Sequence, residues 1–353
     1  MKAKVVIAIP IAHTWLWNDI CLSQLLKFDP GISNIRVVIV SNAWDWCPSM
    51  ANMVDLAAQD DLPFPIEVVQ NDRASKWHGT ALDYVVEYYE ADYLFTMEPD
   101  VLVLSDDWLK WFVEKMELHY ITPADPLAPC FSVGHWHGEG FINPSATLYR
   151  MDALKKALGE FRGNKDPQMY WGPDFSRSEN ILAHYDRFLD DVGPFSEKRG
   201  WLPGTKLKGP IPSGQMRGPG WYEPAQQVHH WAVEEGYSYV PVPCRHDIHS
   251  ERAIPVGKFY GAEPDFYVVH LWGGTRALDL LKHPVSDPTV SNNMEFWLKR
   301  EAELWKEIVP KERQEITLRL MREKGWFNRL MTDREEAAVR TIMGHYEKGG
   351  VVL

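Results

Sequence analysis

Glu98 and Asp100 flank a proline at the end of the run Tyr93-Leu-Phe-Thr-Met-Glu-Pro-Asp. Up to Met97 the run is apolar and rich in strand formers, so the two carboxylates close what reads as a buried strand. Residues two apart on an extended path share a face, which predicts that both side chains point the same way. Two hard oxygen ligands at the carboxyl end of a buried strand can hold a divalent cation against a diphosphate. Taken alone, the tripeptide also reads as an ordinary polar turn. The elements around it decide between these readings.

Residues 4–9 read as a buried strand and residues 15–28 as a helix closed by Asp29-Pro30-Gly31. A second β-rich run covers 35–40, followed by a helix over 50–59. A third strand covers 66–69, followed by a helix from about Gly79 to Glu90, and the fourth strand is 93–97. Strand and helix alternate with short links, the pattern of a parallel sheet covered on both faces. Further along, Asp107 opens an amphipathic helix, 141–149 reads as a strand and 151–158 as a helix. A helix over 224–235 precedes strands over 237–242 and 266–269. From about Ser291 the chain turns helical and charged, over 295–324 and 333–346. Apolar Phe296, Leu304 and Ile308 recur at helical spacing, which predicts an extension packed on the core or on a second subunit. Residues 193–221 hold seven Gly and five Pro, a long loop that is either a mobile lid beside a site or a plain surface excursion.

With 353 residues the chain can bury a large core. Its net charge of −12 argues against non-specific binding to nucleic acid. The sixteen Trp supply faces that stack on sugars or nucleobases as readily as they fill cores. Cys21, Cys47, Cys130 and Cys244 are scattered with no CxxC pair, which speaks against a zinc ribbon or disulfide framework and fits a reducing compartment. The first residues enter a strand without a signal-peptide pattern, and no window reaches ~18 uninterrupted apolar residues. These features predict a cytoplasmic protein without a transmembrane segment. Neither GxGxxG nor GxxxxGK[ST] follows a strand, so dinucleotide and P-loop readings lack a motif.

Four segments in this order resemble the GT-A class of nucleotide-sugar glycosyltransferases, closest in pattern to the family 2 enzymes and the polypeptide N-acetylgalactosaminyltransferases. Val5-Val-Ile-Ala-Ile-Pro-Ile-Ala looks like the family's first strand and the turn that receives the nucleotide base. His78-Gly-Thr-Ala-Leu-Asp-Tyr followed by 92–100 is similar to the helix and strand leading into the DxD motif. Ile142-Asn-Pro-Ser-Ala-Thr-Leu-Tyr-Arg-Met-Asp-Ala-Leu resembles the acceptor-side strand and its helix. Glu223 with a helix and then Gly236-Tyr-Ser-Tyr-Val-Pro is similar to the catalytic helix and the strand after it. The resemblance spans roughly residues 4–276. It departs at Glu98, where the family has Asp, at Glu223-Pro224 in place of an acidic pair, and at Ser41-Asn42 in place of an acid.

The resemblance implies an α/β fold of GT-A-like, Rossmann-like type, a mostly parallel sheet flanked by helices with a C-terminal helical extension. The implied domain runs over 1–285, with a nucleotide-binding half to residue 120 and an acceptor-side half beyond it, and the extension covers 286–353. It implies Asp100 as a metal ligand and Glu98 as a ligand directly, through water, or to the ribose. It also asks for a histidine on a late strand. His270 fits, since an imidazole beside carboxylates suits Mn²⁺, although a histidine ending an apolar run also reads as a core residue. Gly273 and Gly274 allow close backbone approach to a phosphate, and Arg276 can contact it bidentately. Glu223 is the candidate general base. It also reads as a helix N-terminal carboxylate beside Pro224, or in a retaining enzyme as a nucleophile or acceptor ligand. Pro10, Ala12, Asn42, Asp72 and Gly79 are candidates for the nucleotide pocket, with Lys76 as a phosphate donor. Trp171, Trp221, Tyr222 and Trp272 are candidates for sugar stacking, or simply core. The pairs His135/His137, His229/His230 and His246/His249 lack an evident third ligand.

The expected activity is metal-dependent transfer of a sugar from a UDP-sugar, with glucose or galactose favoured, to a saccharide hydroxyl, using Mn²⁺ or Mg²⁺. The C-terminal helices leave room for a homo-oligomer. Two rivals remain: a nucleotidyltransferase or nucleotide-sugar hydrolase on a similar sheet, and a non-catalytic saccharide-binding protein.

Overall fold

The computed structural model describes residues 2–11, 16–42, 50–71, 78–118, 128–137, 141–142, 144–163, 225–249, 254–262, 265–271 and 300–323. Strands β1 (Val5–Ile11), β2 (Ile35–Ser41), β3 (Ile66–Gln70) and β4 (Tyr93–Met97) alternate with helices α1 (Trp17–Lys27), α2 (Met50–Ala57) and α3 (His78–Tyr88). They form the parallel part of a seven-stranded sheet ordered β10-β6-β9-β4-β1-β2-β3. The remaining strands of that sheet are β6 (Cys130–Gly134), β9 (Ala146–Arg150) and β10 (Ser238–Pro241), of which β9 alone runs antiparallel. A mostly parallel α/β sheet flanked by helices is the architecture that the alternating pattern predicts.

The strands read as continuous apolar runs because both faces are covered. Val5, Ile7 and Ile9 of β1 join one buried cluster, together with Phe95 of β4 and Phe112 of α4 (Trp108–Glu117). Val6 and Ala8 join the other, together with Leu82, Val85 and Val86 of α3 and Leu154 of α5 (Met151–Gly163). Phe95 meets Trp108 and Phe112 edge-on, at centroid distances of 5.2 and 5.0 Å.

A second sheet, ordered β11-β12-β13-β5, is antiparallel throughout. It consists of β11 (Cys244–His249), β12 (Ile254–Ala262), β13 (Asp265–His270) and the short β5 (Val101–Val103). Residues 98–100 therefore carry the chain from the large sheet into the small one. Two short strands, β7 (Trp136–His137) and β8 (Phe141–Ile142), pair separately. The strand expected over 141–149 is thus divided between β8 and β9.

Helix α6 (Gln226–Glu234) ends in a Schellman motif. Gly236 takes the left-handed φ of +84°, the Tyr237 amide donates to Ala232 O (2.9 Å) and the Gly236 amide to Val233 O (3.2 Å). The glycine of the Gly-Tyr…Val-Pro segment is therefore a helix stop.

The C-terminal helical stretch is broken rather than continuous. Residues 300–308 are helical, and α7 (Lys311–Glu323) begins after Pro310, whose ring removes an amide donor. The Gln314 side-chain amide donates to Val309 O at 2.6 Å and closes the first segment. This unit packs on α1 of the same chain. The Leu16 amide donates to Glu301 Oε1 (2.5 Å), while Asp19 Oδ2 accepts from Trp305 Nε1 (3.1 Å) and Thr317 Oγ1 (2.8 Å). Among the described residues no helix is long and apolar enough to cross a membrane.

Candidate metal and donor site

The order of the large sheet reverses next to β1, since β2 and β3 lie on one side and β4 on the other. In open α/β sheets such a reversal opens a crevice at the carboxyl ends of the strands, where ligands bind. Glu98 and Asp100 follow β4 at that end. The extended path does not continue through them: the Val101 amide donates to Glu98 O at 3.0 Å and closes a turn. The two carboxylates meet because the chain turns from one sheet to the other, not because they alternate on one strand.

The small sheet brings in His270. Its strand pairs with β5 so that His270 faces Val101, and the Leu271 amide donates to Asp100 O at 2.9 Å. Backbone pairing thus fixes an imidazole beside carboxylates about 170 residues away. His270 Nε2 stands 3.1 Å from Glu98 Oε2 and 3.5 Å from Asp100 Oδ1. It is within ion-pair range of both. Asp100 and His270 side chains are 1% and 3% exposed and Glu98 24%, so two ligands are fixed by packing and the third reaches the cleft.

Among the described residues, Glu98, Asp100 and His270 are the one group of three or more His, Cys, Asp or Glu whose ligand atoms all lie within 4.8 Å of one another. Two carboxylates and a buried imidazole converging within 4.8 Å form a donor set suited to Mn²⁺. Burial alone would push His270 down. The charge and contact of Asp100, then those of Glu98, outweigh burial and raise the imidazole to about 9. Acids this close to a buried imidazole attract positive charge, as a proton or as a metal.

Two groups beside the trio were not singled out by sequence. His78, the first residue of α3, places Nδ1 3.5 Å from Glu98 Oε1. Desolvation lowers its pKa most; Glu98 and Asp100 pull it back up, and His270 lowers it further. Tyr260 of β12 is fully buried, and burial, then Cys244, Glu98 and Asp100, raise its phenol. The visible signal for His78 was its place at a strand-to-helix turn, which topology puts at the same sheet end as Glu98. Nothing in the β12 sequence marks Tyr260.

Of the residues expected to line a nucleotide pocket, Pro10 is buried in β1 opposite Val40, and Gly79 is buried in the first turn of α3. Asn42 follows β2, and its Oδ1 accepts from Asn71 Nδ2 at 2.7 Å; Asn71 Nδ2 also donates to Thr80 Oγ1 at 3.1 Å. This buried ladder crosses the carboxyl ends of β2 and β3, and Asn71, adjacent to the candidate Asp72, is its centre. Ala12, Asp72, Lys76, Trp171, Trp221, Tyr222, Glu223, Trp272, Arg276 and the loop over 193–221 lie outside the described residues. Of the other histidines, His135 stacks on Tyr260 at 5.8 Å, and His229 meets Tyr239 edge-on at 4.8 Å. A groove of about 280 Å³ between α1, α2 and the C-terminal helices, lined by Asp19, Leu22, Met53, Leu56 and Arg313, lies apart from the trio.

No protein-family model and no curated protein sequence matches this chain. Solved structures that it resembles include glycosyltransferases. The mannosyltransferase PcManGT from Pyrobaculum calidifontis, solved with GDP-Man and Mn²⁺, is 11% identical, with a TM-score of 0.40 over 99% of this chain and 88% of that one. TarS of S. aureus is 15% identical, with a TM-score of 0.34 over 44% of this chain and 29% of its own, so the match spans under a third of its length. The glycosyltransferase GlyE of Streptococcus pneumoniae TIGR4 is 11% identical, with a TM-score of 0.34 over 68% of this chain and 46% of that one.

Proposed function

We propose that the chain is a GT-A-type, metal-dependent glycosyltransferase that moves a hexosyl group, glucose or galactose favoured, from a UDP-sugar to a saccharide hydroxyl. The observation that carries this reading is the convergence of Glu98, Asp100 and His270 at the carboxyl ends of the strands, beside the reversal in strand order. Donor, acceptor and the roles of undescribed residues come from the sequence resemblance.

Asp100, His270 and Glu98 would hold Mn²⁺ or Mg²⁺. A bound cation there supplies charge against the diphosphate that leaves when the glycosidic bond to the donor breaks. Asp100 and His270, being buried, fix their ligand atoms before donor arrives, which lowers the ordering cost of binding. Pro10, Asn42 and Gly79 line the side on which base and ribose would sit, with Ala12, Asp72, Lys76 and Arg276 as sequence candidates. Glu223 would take the acceptor proton as the hydroxyl attacks the anomeric carbon. Trp171, Trp221, Tyr222 and Trp272 are its proposed sugar-stacking partners. Scattered cysteines, of which Cys21, Cys130 and Cys244 are free thiols, accord with a cytoplasmic setting.

Calorimetry with UDP and Mn²⁺ tests the proposal. The expected result is UDP binding that depends on Mn²⁺ and is lost in Asp100→Ala with His270→Ala. Metal-independent UDP binding, or undiminished binding in that double variant, would refute it. Product analysis with a panel of UDP-sugars then separates transfer from hydrolysis, in which free sugar accumulates whatever acceptor is present.

A further inference from the structure

Of the three converging ligands, Glu98 is the one least fixed by its surroundings. It is 24% exposed, against 1% for Asp100 and 3% for His270. As a glutamate it also has one more rotatable bond than an aspartate, so holding one oxygen on a cation costs more side-chain entropy. Its two oxygens face two different imidazoles. His270 Nε2 approaches Oε2 at 3.1 Å and His78 Nδ1 approaches Oε1 at 3.5 Å.

His78 is held by the fold rather than by the site. It opens α3, whose Ala81, Leu82, Val85 and Val86 are buried against the sheet. A helix following a parallel strand begins at the carboxyl end of that strand, which brings the ring to the level of Glu98. His78 lies outside that group of three, and it reaches the group through its contact with Glu98 Oε1. Carboxylates that ligate metals are commonly held by such outer partners.

We propose that His78 is a positioning residue: it engages Oε1 of Glu98 and so keeps Oε2 directed at the cation shared with Asp100 and His270. The proposal rests on reading those three residues as a cation site. It also accounts for Glu in place of the shorter Asp, since a longer acid can span two imidazoles.

The test is titration of the full chain with Mn²⁺ alone, for wild type, His78→Phe and His78→Gln, together with thermal unfolding and the visible spectrum of the Co²⁺ forms. His78→Phe keeps a ring but has no nitrogen and should bind Mn²⁺ about 10–100-fold more weakly with an altered Co²⁺ spectrum. His78→Gln can donate to Oε1 and should recover most of the affinity and the wild-type spectrum. A folded Phe variant with wild-type Mn²⁺ affinity would overturn the proposal, as would equal losses in both variants that track their melting temperatures. In either case wild-type binding abolished by Asp100→Ala leaves the cation site standing; absence of Mn²⁺ binding in wild type overturns both.

Discussion

Two clusters of acids lie near α1, and their partners differ in kind. Asp19 accepts from the indole of Trp305 and the hydroxyl of Thr317, and Glu301 accepts from the Leu16 amide. Amides, indoles and hydroxyls of this sort neither ligate metals readily nor titrate near neutrality. At the other cluster Glu98 and Asp100 face His270, and Glu98 also faces His78. Imidazoles do both. Burial of acids alone therefore does not mark a functional site; what the acids face does. One cluster fastens the C-terminal helices to α1, and the other gathers groups that fit a cation.

The contrast is broken most directly by exchanging outcomes between the clusters. With UDP and Mn²⁺ each at about a hundred times its dissociation constant, mass action should stabilise the wild type by about 2.7 kcal/mol per ligand, about 5.4 kcal/mol for both. That gain should vanish in Asp100→Ala and persist in Glu301→Gln, as read from thermal unfolding with and without ligands. A gain that survives in Asp100→Ala would move the cation elsewhere. Next in size, Glu301→Ala should cost about 2 kcal/mol of stability, because it strips an acceptor from the buried amino end of α1. Mn²⁺ affinity of the folded variant should not change.

The same glutamate gives a pH signature. Burial drives its carboxyl up to about 8, with the Leu16 and Trp17 amides pulling the other way. The folded protein then holds this proton more tightly than the unfolded chain, whose carboxyl titrates near 4.5. Its contribution to stability is complete below pH 4.5 and is lost as pH rises to about 8, at no more than about 1.4 kcal/mol per pH unit. Glu301→Gln resembles the protonated form, so it should remove that slope and be the more stable protein above pH 8. Chemical denaturation across this range reads it; an unchanged slope would place the proton elsewhere.

How much of this was legible follows from whether neighbours in sequence or in space set each element. The span of β4 is the one its apolar run predicts, and β1 to β3 fall within two residues of expectation, because buried parallel strands are uniformly apolar. The small sheet is different. Val101–Val103 is only three residues long, β11 reads Cys-Arg-His-Asp-Ile-His, and β12 carries Pro255, Gly257 and Gly261, which locally signal breaks. Long-range pairing overrides those signals. At the site, Asp100 and His270 could be named from motif order, but the turn that joins Glu98 to Asp100 and the approach of His78 needed the third dimension. The expected helix over 295–324 ran through Pro310, which signals the break it missed; the docking on α1 was not legible at all, since Asp19 and Thr317 are 298 residues apart.

The smallest effect is the sharpest check on whether the clusters are independent. Thr317 is fully buried and donates to Asp19, which also accepts from Trp305. Thr317→Val keeps the shape and removes the hydroxyl. Asp19 retains the indole, so the cost should fall near the low end for a buried hydrogen bond, about 1 kcal/mol by denaturant titration. Because Asp19 and Cys21 share α1, and Cys21 feels the charge of Asp100 after its own burial, a shift of that helix would reach the cation site. Mn²⁺ affinity in Thr317→Val should nonetheless equal that of wild type, since loss of one bond among several does not displace a helix packed through Ile20, Leu22 and Leu25. A weakened affinity at unchanged fold would mean that the C-terminal helices set the geometry of the site through α1, and the separation between fastening and function would fail.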